Sequence, residues 1–270
     1  MKKTIWLTLC MCLCGLVAHA QHGVENKAMQ AGESLTYDLH FNWKFVWVKA
    51  GTANMKTVAT TYQGKPALRT HLQTKGNKRA DFFFIMRDTL ESTMSTDLVP
   101  YHFRKGAEEG KKYTLDEVTF TYADGLTHIK QSRKKQGKQP RYSETTEKRC
   151  VYDMLSLLAR ARSLSADGMR VGHKLVFPMA TGAKVEDQIL IYRGKERFKA
   201  DNGVVYRCLV FSLVEYKKKK EKEVITFYVT DDDNHLPVRL DLYLNFGSAK
   251  AFLTHVEGNR HPLTSIVKDD

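Results

Sequence analysis

Residues 150–168 read CVYDMLSLLARARSLSADG. Val151, Met154, Leu155, Leu158 and Ala161 recur there at i, i+3, i+4, i+7 and i+10, and Gly168 supplies a stop. That is the period of one helical face, and it predicts a helix over about 152–164. Leu157 and Leu164 widen the apolar face, so such a helix needs cover on most sides. It is the one segment that breaks an otherwise strand-like chain, and the fold turns on what surrounds it.

Outward from this segment, the chain alternates with period two. Leu35, Tyr37, Leu39 and Phe41 alternate with Thr36, Asp38 and His40, as in a half-buried strand. After the bend NWKFVWVKAG comes a second strand through Ala53, Met55, Thr57 and Ala59. Then follow YQGKPALRTHLQTKG, with a Gly-Lys-Pro turn, and ADFFFIMRDTLESTM. Ala123-Asp124-Gly125 joins two further strands with an Asp-Gly hairpin signal. DQILIYRGKERFKA, VYRCLVFSLVEY and EVITFYVT are rich in Val, Ile, Tyr and Phe and spaced by short turns. The expected fold is mainly β: a curved antiparallel sheet or incomplete β-barrel of about ten to twelve strands around one central helix.

The first twenty residues, MKKTIWLTLCMCLCGLVAHA, combine Lys2 and Lys3 with an apolar stretch from Ile5 to Val17 and a small-x-small ending, Ala18-His19-Ala20. This predicts a secretory signal peptide (1–20) cleaved between Ala20 and Gln21, followed by one β-rich domain (21–270) in the periplasm or outside the cell. The apolar stretch is 13 residues, short of the roughly 20 that a transmembrane helix needs. Leu, Met and Leu precede Cys10, Cys12 and Cys14, where a lipid-modified cysteine would require a small residue. No second apolar run of spanning length follows. Beyond the leader only Cys150 and Cys208 remain. In an oxidising compartment they could form a disulfide, and equally each could be a reduced, buried thiol. The formal charge of +13 falls to +11 without Lys2 and Lys3. That excess favours anionic partners such as polysaccharide or lipid head groups, and export disfavours nucleic acid.

Few motifs suggest chemistry. Asp231-Asp232-Asp233-Asn234-His235 precedes Pro237 and the alternating Val238, Leu240, Leu242 and Leu244. Asp231, Asp233 and His235 are weak metal candidates, because a calcium loop begun at Asp231 would lack its mid-loop Gly and its final Glu. A turn explains the run better: Asp and Asn bond their own backbone, and Pro237 opens a strand. The basic runs 133–141 (RKKQGKQPR) and 217–222 (KKKKEK) lie between strands. They read as solvated hairpin tips that discourage edge pairing, or as an anion-binding patch. Both lack the interleaved aromatics that stack on single-stranded nucleic acid. Phe41, Trp43, Phe45 and Trp47 share one parity, and Phe82, Phe83 and Phe84 are consecutive. Aromatic residues in strands are usually core, but Trp43 and Trp47 flank a bend. With Phe83 they could line the mouth of an apolar cavity or stack on sugar rings. There is no H-E-x-x-H, G-x-S-x-G or phosphate-binding loop, and no motif calls for a cofactor.

Several short motifs occur in order: GESLTY (32–37) with KAGTA (49–53), RDTLES (87–92) with Pro100 and Phe103, YDMLSLLARAR (152–162), and DDDNHLPVRL with FGSAKAFL (246–253). Together they resemble the exported bacterial DUF3108 family over nearly the whole chain, from about Gly32 to Leu253. The resemblance implies export and supplies no catalytic residues, the family being of unknown function. The stretch between Tyr37 and Ala50 departs from it in being longer and more aromatic. FYVTDDDNHLPVRL is also loosely similar to periplasmic lipoprotein carriers of the LolA and LolB type, which are incomplete antiparallel barrels that hold acyl chains. That likeness implies a carrier-like shape, with Arg239 on the opposite face from Val238 and Leu240, but fold alone does not license function.

The expectation is a non-catalytic, lipid-carrier-like protein that binds an apolar or amphiphilic envelope ligand, with Trp43, Trp47, Phe83 and Arg239 as ligand-binding candidates. One alternative is an enzyme or binding protein for envelope glycans using the Asp231–Asp233 carboxylates and the tryptophans. Another is an envelope assembly factor that docks partners through its basic hairpins. The sequence leaves the oligomeric state open.

Overall fold

The computed structural model describes residues 23–43, 46–77, 86–110, 112–217, 220–244 and 247–267. The proposed leader lies outside them. The first arm is a meander of β1 (Ser34–Trp43), β2 (Val46–Tyr62), β3 (Lys65–Gly76), β4 (Met86–Ser95), β5 (Pro100–Glu109), β6 (Lys112–Ala123), β7 (Leu126–Lys135) and β8 (Arg141–Glu147). After the helix α1 (Met154–Arg162), the second arm runs through β9 (Lys174–Ala180), β10 (Val185–Lys199), β11 (Val205–Lys217), β12 (Lys220–Thr230), β13 (Pro237–Leu244) and β14 (Gly247–Glu257). A two-residue β15 (Ile266–Val267) pairs with β11.

One sheet takes in all these strands, in the order β8-β7-β6-β5-β4-β3-β2-β1-β14-β13-β12-β11-β10-β9. Every ladder between them is antiparallel, and strands adjacent in this order are consecutive in sequence except at the β1–β14 junction. The described residues contain fifteen strands, more than the ten to twelve expected. Several of the additional strands have little alternation to read. The edge strand β8 (RYSETTE) is mostly exposed. β9 contains Pro178, tolerable because β9 is the opposite edge.

β8 and β9 stand at the two ends of the order and do not pair with each other, so the sheet is not closed into a barrel. Its ends are nevertheless drawn together. In the β9–β10 turn, Gly182 N–H donates to Gln131 Oε1 of β7 (3.0 Å), and the Thr181 carbonyl accepts from Arg133. Ser143 of β8 donates to the Ala183 carbonyl (3.1 Å), and Arg149 pairs with Asp187 (3.0 Å). Gly182 has φ +87, and a Cβ there would sit 2.5 Å from Asp116. Glycine permits both the left-handed backbone and the close approach.

The helix occupies 154–162, shorter than the 152–164 expected. Asp153 caps it, its carboxylate accepting from the Leu155 and Ser156 amides, while Ser156 Oγ bonds back to the cap. Nine residues are too few for a stable isolated helix, so packing must hold it. Leu155 and Leu158 join Leu35, Phe103, Phe120, Ile129, Val238 and Leu253 in the main core. Ala159 packs with Met29, Leu68 and Met94. Leu157, Ala161 and Leu164 meet Phe177, Leu190 and Phe211. Both arms thus cover the helix, each fully buried Leu or Phe contributing roughly 1.5–3 kcal/mol. Asp153 also accepts from Ser92 of β4 (2.8 Å). At the other end Arg162 makes a bidentate pair with Glu33 (2.6 and 2.8 Å) and donates to the Asn234 carbonyl.

Candidate functional site

The long strands outrun the core they enclose. Alternation buries one face of β2 from Gly51 onward, but its first four residues are all exposed. Val46, Trp47 and Val48 are 61%, 39% and 44% exposed, a run of three apolar residues facing water from both sides of one hairpin. β1 is the other leg, pairing Asn42 with Trp47 and Trp43 with Val46. On the far side of β1, His40 pairs with Lys250 and Phe41 with Ala249. The β13–β14 hairpin therefore abuts the β1–β2 hairpin and brings exposed Tyr243 and Leu244 to the same end of the sheet. The Lys250 ammonium lies over the Trp47 ring, 4.6 Å from its centroid.

This end continues along the sheet with the same chemistry. Tyr216 is the penultimate residue of β11, and Tyr113 is the second residue of β6, after Lys112. Both tyrosines are exposed. The Lys174 ammonium donates to Tyr216 Oη (2.8 Å), which donates in turn to Glu221 (3.0 Å). Glu221 is held below the usual carboxylate range by its hydrogen bonds to Arg193 and Tyr216. Lys49 pairs with Asp38 (2.6 Å). Five of the twelve large hydrophobic residues exposed among the described residues sit together on the adjoining β1–β2 and β13–β14 hairpins, a cluster and not the scatter normal for a protein surface.

The residues proposed from sequence are not all gathered here. Trp47 lies at the centre of the patch. Trp43 is the last residue of β1, its side chain outside the described residues, and Phe83 lies outside them altogether. Arg239 is five positions back from Leu244 on β13. Its guanidinium is bidentate to Asp241 (2.9 and 2.5 Å), 4.5 Å from the Tyr228 centroid and 5.6 Å from that of Phe198. The hydrogen bonds to Asp241 hold it above the usual arginine range, so its charge is already paired. Sequence reading missed Val46, Val48, Tyr243, Leu244, Tyr216 and Tyr113. The signal for the first two was the unbroken Val-Trp-Val run, which one buried strand face cannot accommodate.

The acidic run forms the turn between β12 and β13, at the opposite strand ends. Asp231 pairs with Lys195 (2.9 Å). Asp232 accepts from Thr230 Oγ1 (2.8 Å), the Asn234 amide (3.1 Å) and the Ser265 amide (3.2 Å). Buried Asn234 donates to the His261 carbonyl, and His235, at φ +43, contacts the Arg162 carbonyl through Nδ1 at 2.6 Å. Only Asp233 points clear into solvent. Among the described residues no cluster of three or more His, Cys, Asp or Glu side chains could hold a metal ion.

Cys150 and Cys208 are both free thiols and belong to different apolar clusters, so the disulfide held open from sequence is not formed. Two clefts stand out, of about 500 and 600 Å³. The smaller is lined by Lys148, Arg149, Cys150 and Arg160, and the larger by the acidic turn with Lys195, Arg260 and His261. Both open to solvent and carry charged walls, and neither is an enclosed apolar cavity. No helix among the described residues is long and apolar enough to cross a membrane.

A family model described as "Protein of unknown function (DUF3108)" matches residues 36–254. No curated protein matches the sequence. Among solved structures, the chain is similar to a beta-barrel-like protein of a domain of unknown function, DUF1849, from Brucella abortus. The two share 9% identity over 85% of this chain and 98% of the other, at a TM-score of 0.52. Identity so low shows a likeness of fold alone.

Proposed function

The chain belongs to the DUF3108 family, proteins of unknown function, and from that premise we propose that it is an exported, non-catalytic binding protein for an amphiphilic, anionic component of the cell envelope. The observation that carries this reading is the exposed Val46–Trp47–Val48 run with Lys250 stacked on its indole. Apolar and aromatic side chains would take the hydrocarbon portion of such a ligand, and lysines its charged head. The basic balance, +13 over the whole sequence, supports an anionic partner, and the N-terminal leader supports export.

The reading differs from a carrier that holds acyl chains within a barrel. The space enclosed by the two arms is occupied by Leu35, Phe103, Phe120, Leu155 and their neighbours, so the ligand would meet the strand ends. A glycan-acting enzyme is the weaker alternative, because Asp231 and Asp232 are committed to Lys195 and to the turn's own backbone.

Native mass spectrometry of protein purified gently from its own envelope tests the proposal. An anionic lipid should be retained, and its amount should fall in a Trp47→Ala variant. Recovery of lipid-free protein that also fails to take up an added monomeric anionic amphiphile would refute it.

A further inference from the structure

The exposed apolar residues and the lysines occur at the same end of one sheet, so they share a common rim. Along it, β6 offers Tyr113 and Lys112; β2 offers Val46, Trp47 and Val48; β14 offers Lys250; β13 offers Tyr243 and Leu244; and β11 with β12 offers Tyr216, Lys220 and Lys222. A single bound lipid would need one pocket, and neither of the two clefts described above is lined by residues of this rim. A plane suits it better. Tryptophan and tyrosine prefer the boundary between head groups and acyl chains, where an amphipathic ring has both its environments. Short aliphatic residues between them can enter the acyl boundary, and lysines are drawn to an anionic leaflet.

We infer that this end of the sheet is a docking surface for an anionic lipid bilayer, on which the chain sits end-on with Val46, Trp47, Val48, Tyr243 and Leu244 at head-group depth. This rests on the functional reading above and names the ligand as the membrane surface itself. Charge complementarity and the clustering of the apolar residues at one set of strand ends argue for that occupant over a second copy of the chain. The opposite ends carry the acidic run 231–233 and would face away from the leaflet.

The sequence supplies its own reporter. Of the three tryptophans, Trp6 lies in the leader, and Trp43 and Trp47 are on the two legs of the β1–β2 hairpin. Vesicles of phosphatidylcholine alone, or of phosphatidylcholine with phosphatidylglycerol, are added to the chain from Gln21 onward, which contains the whole described fold. With the anionic vesicles only, tryptophan emission should shift to the blue and the protein should sediment with the lipid. High salt should weaken this binding. In a Val46→Glu/Val48→Glu variant, changed only at exposed positions, partitioning should fall by about tenfold or more. Circular dichroism confirms that this variant is folded. If the parent chain binds monomeric short-chain phosphatidylglycerol but neither kind of vesicle, the docking inference fails and the ligand reading stands. If it binds neither monomer nor vesicle, both fail. Unchanged vesicle binding by the double-glutamate variant would place the contact elsewhere. A concentration-dependent dimer that gives the blue shift without lipid would assign the rim to a second copy.

Discussion

Cys208 is completely buried, and removal from water pushes its thiol up to about 12. Burial likewise pushes the Cys150 thiol up to about 11, against the opposing pull of Tyr152 and Arg160. At neutral pH both are therefore thiols, poor nucleophiles and poor partners for oxidation. Alkylation of native Cys150 should be slow at pH 7 and accelerate by about tenfold per pH unit toward pH 10, following its thiolate fraction. Cys208 should stay unlabelled until the chain unfolds. Mass spectrometry of iodoacetamide-treated protein across that range checks both, and fast labelling of Cys208 at neutral pH would contradict its burial. The linkage to stability has a definite sign. Both folded thiols ionise later than in the unfolded chain, so their contribution is complete below the ordinary thiol value of 9.0 and is lost as pH rises toward about 11 and 12. Two cysteines beyond the expected leader could be counted in the sequence, but whether they meet depends on where the fold places each.

Among the elements, turns with a local chemical rule were legible. Asp124 and Gly125 have φ of +52 and +71, the paired left-handed conformation that an Asp-Gly hairpin demands. The acidic turn also follows local rules, but only its contacts separate its three aspartates. Asp232 serves three donors from two segments, whereas Asp233 is exposed. Replacing Asp232 by Ala should cost about 1–3 kcal/mol, since buried donors would lose their acceptor. Asp233→Ala should stay within about 0.5 kcal/mol. Urea denaturation of the two variants decides the point, and equal losses would show the turn is not held as described. Edge strands such as β8 escaped notice because half-buried alternation requires a buried face, which an exposed edge lacks.

At the scale of the whole molecule, α1 joins two meanders that also meet at the β1–β14 ladder and where the β9–β10 turn reaches β7 and β8. Arg162 is central to that junction. It is 2% exposed and ties the helix end to Glu33 before β1 and to Asn234 in the β12–β13 turn. Arg162→Met would leave the Glu33 carboxylate buried without a partner, a loss of about 3–5 kcal/mol. Adding Glu33→Leu should restore most of it, because a buried pair replaced by apolar side chains is often neutral. Denaturant midpoints of the single and double variants measure this. A single variant as stable as the parent would mean that the junction is held by packing alone. The same crossover explains why the sheet curls without closing: the β9–β10 turn reaches β7 and β8 through side-chain and turn contacts, with no strand ladder between β8 and β9.

The sequence by itself determined the antiparallel β class, the single helix, the hairpin at Asp124-Gly125 and the family resemblance. These follow from periodicity, turn chemistry and motif order, which are local or nearly so. Only the tertiary structure decided that fifteen strands share one unclosed sheet, that the thiols stay apart and that Arg239 is satisfied by Asp241. It alone decided, too, that Trp47 lies on an exposed rim. The physical reason is that burial is a property of the assembly: Val46, Trp47 and Val48 face water because β1 and β2 extend beyond the side chains that fill the centre.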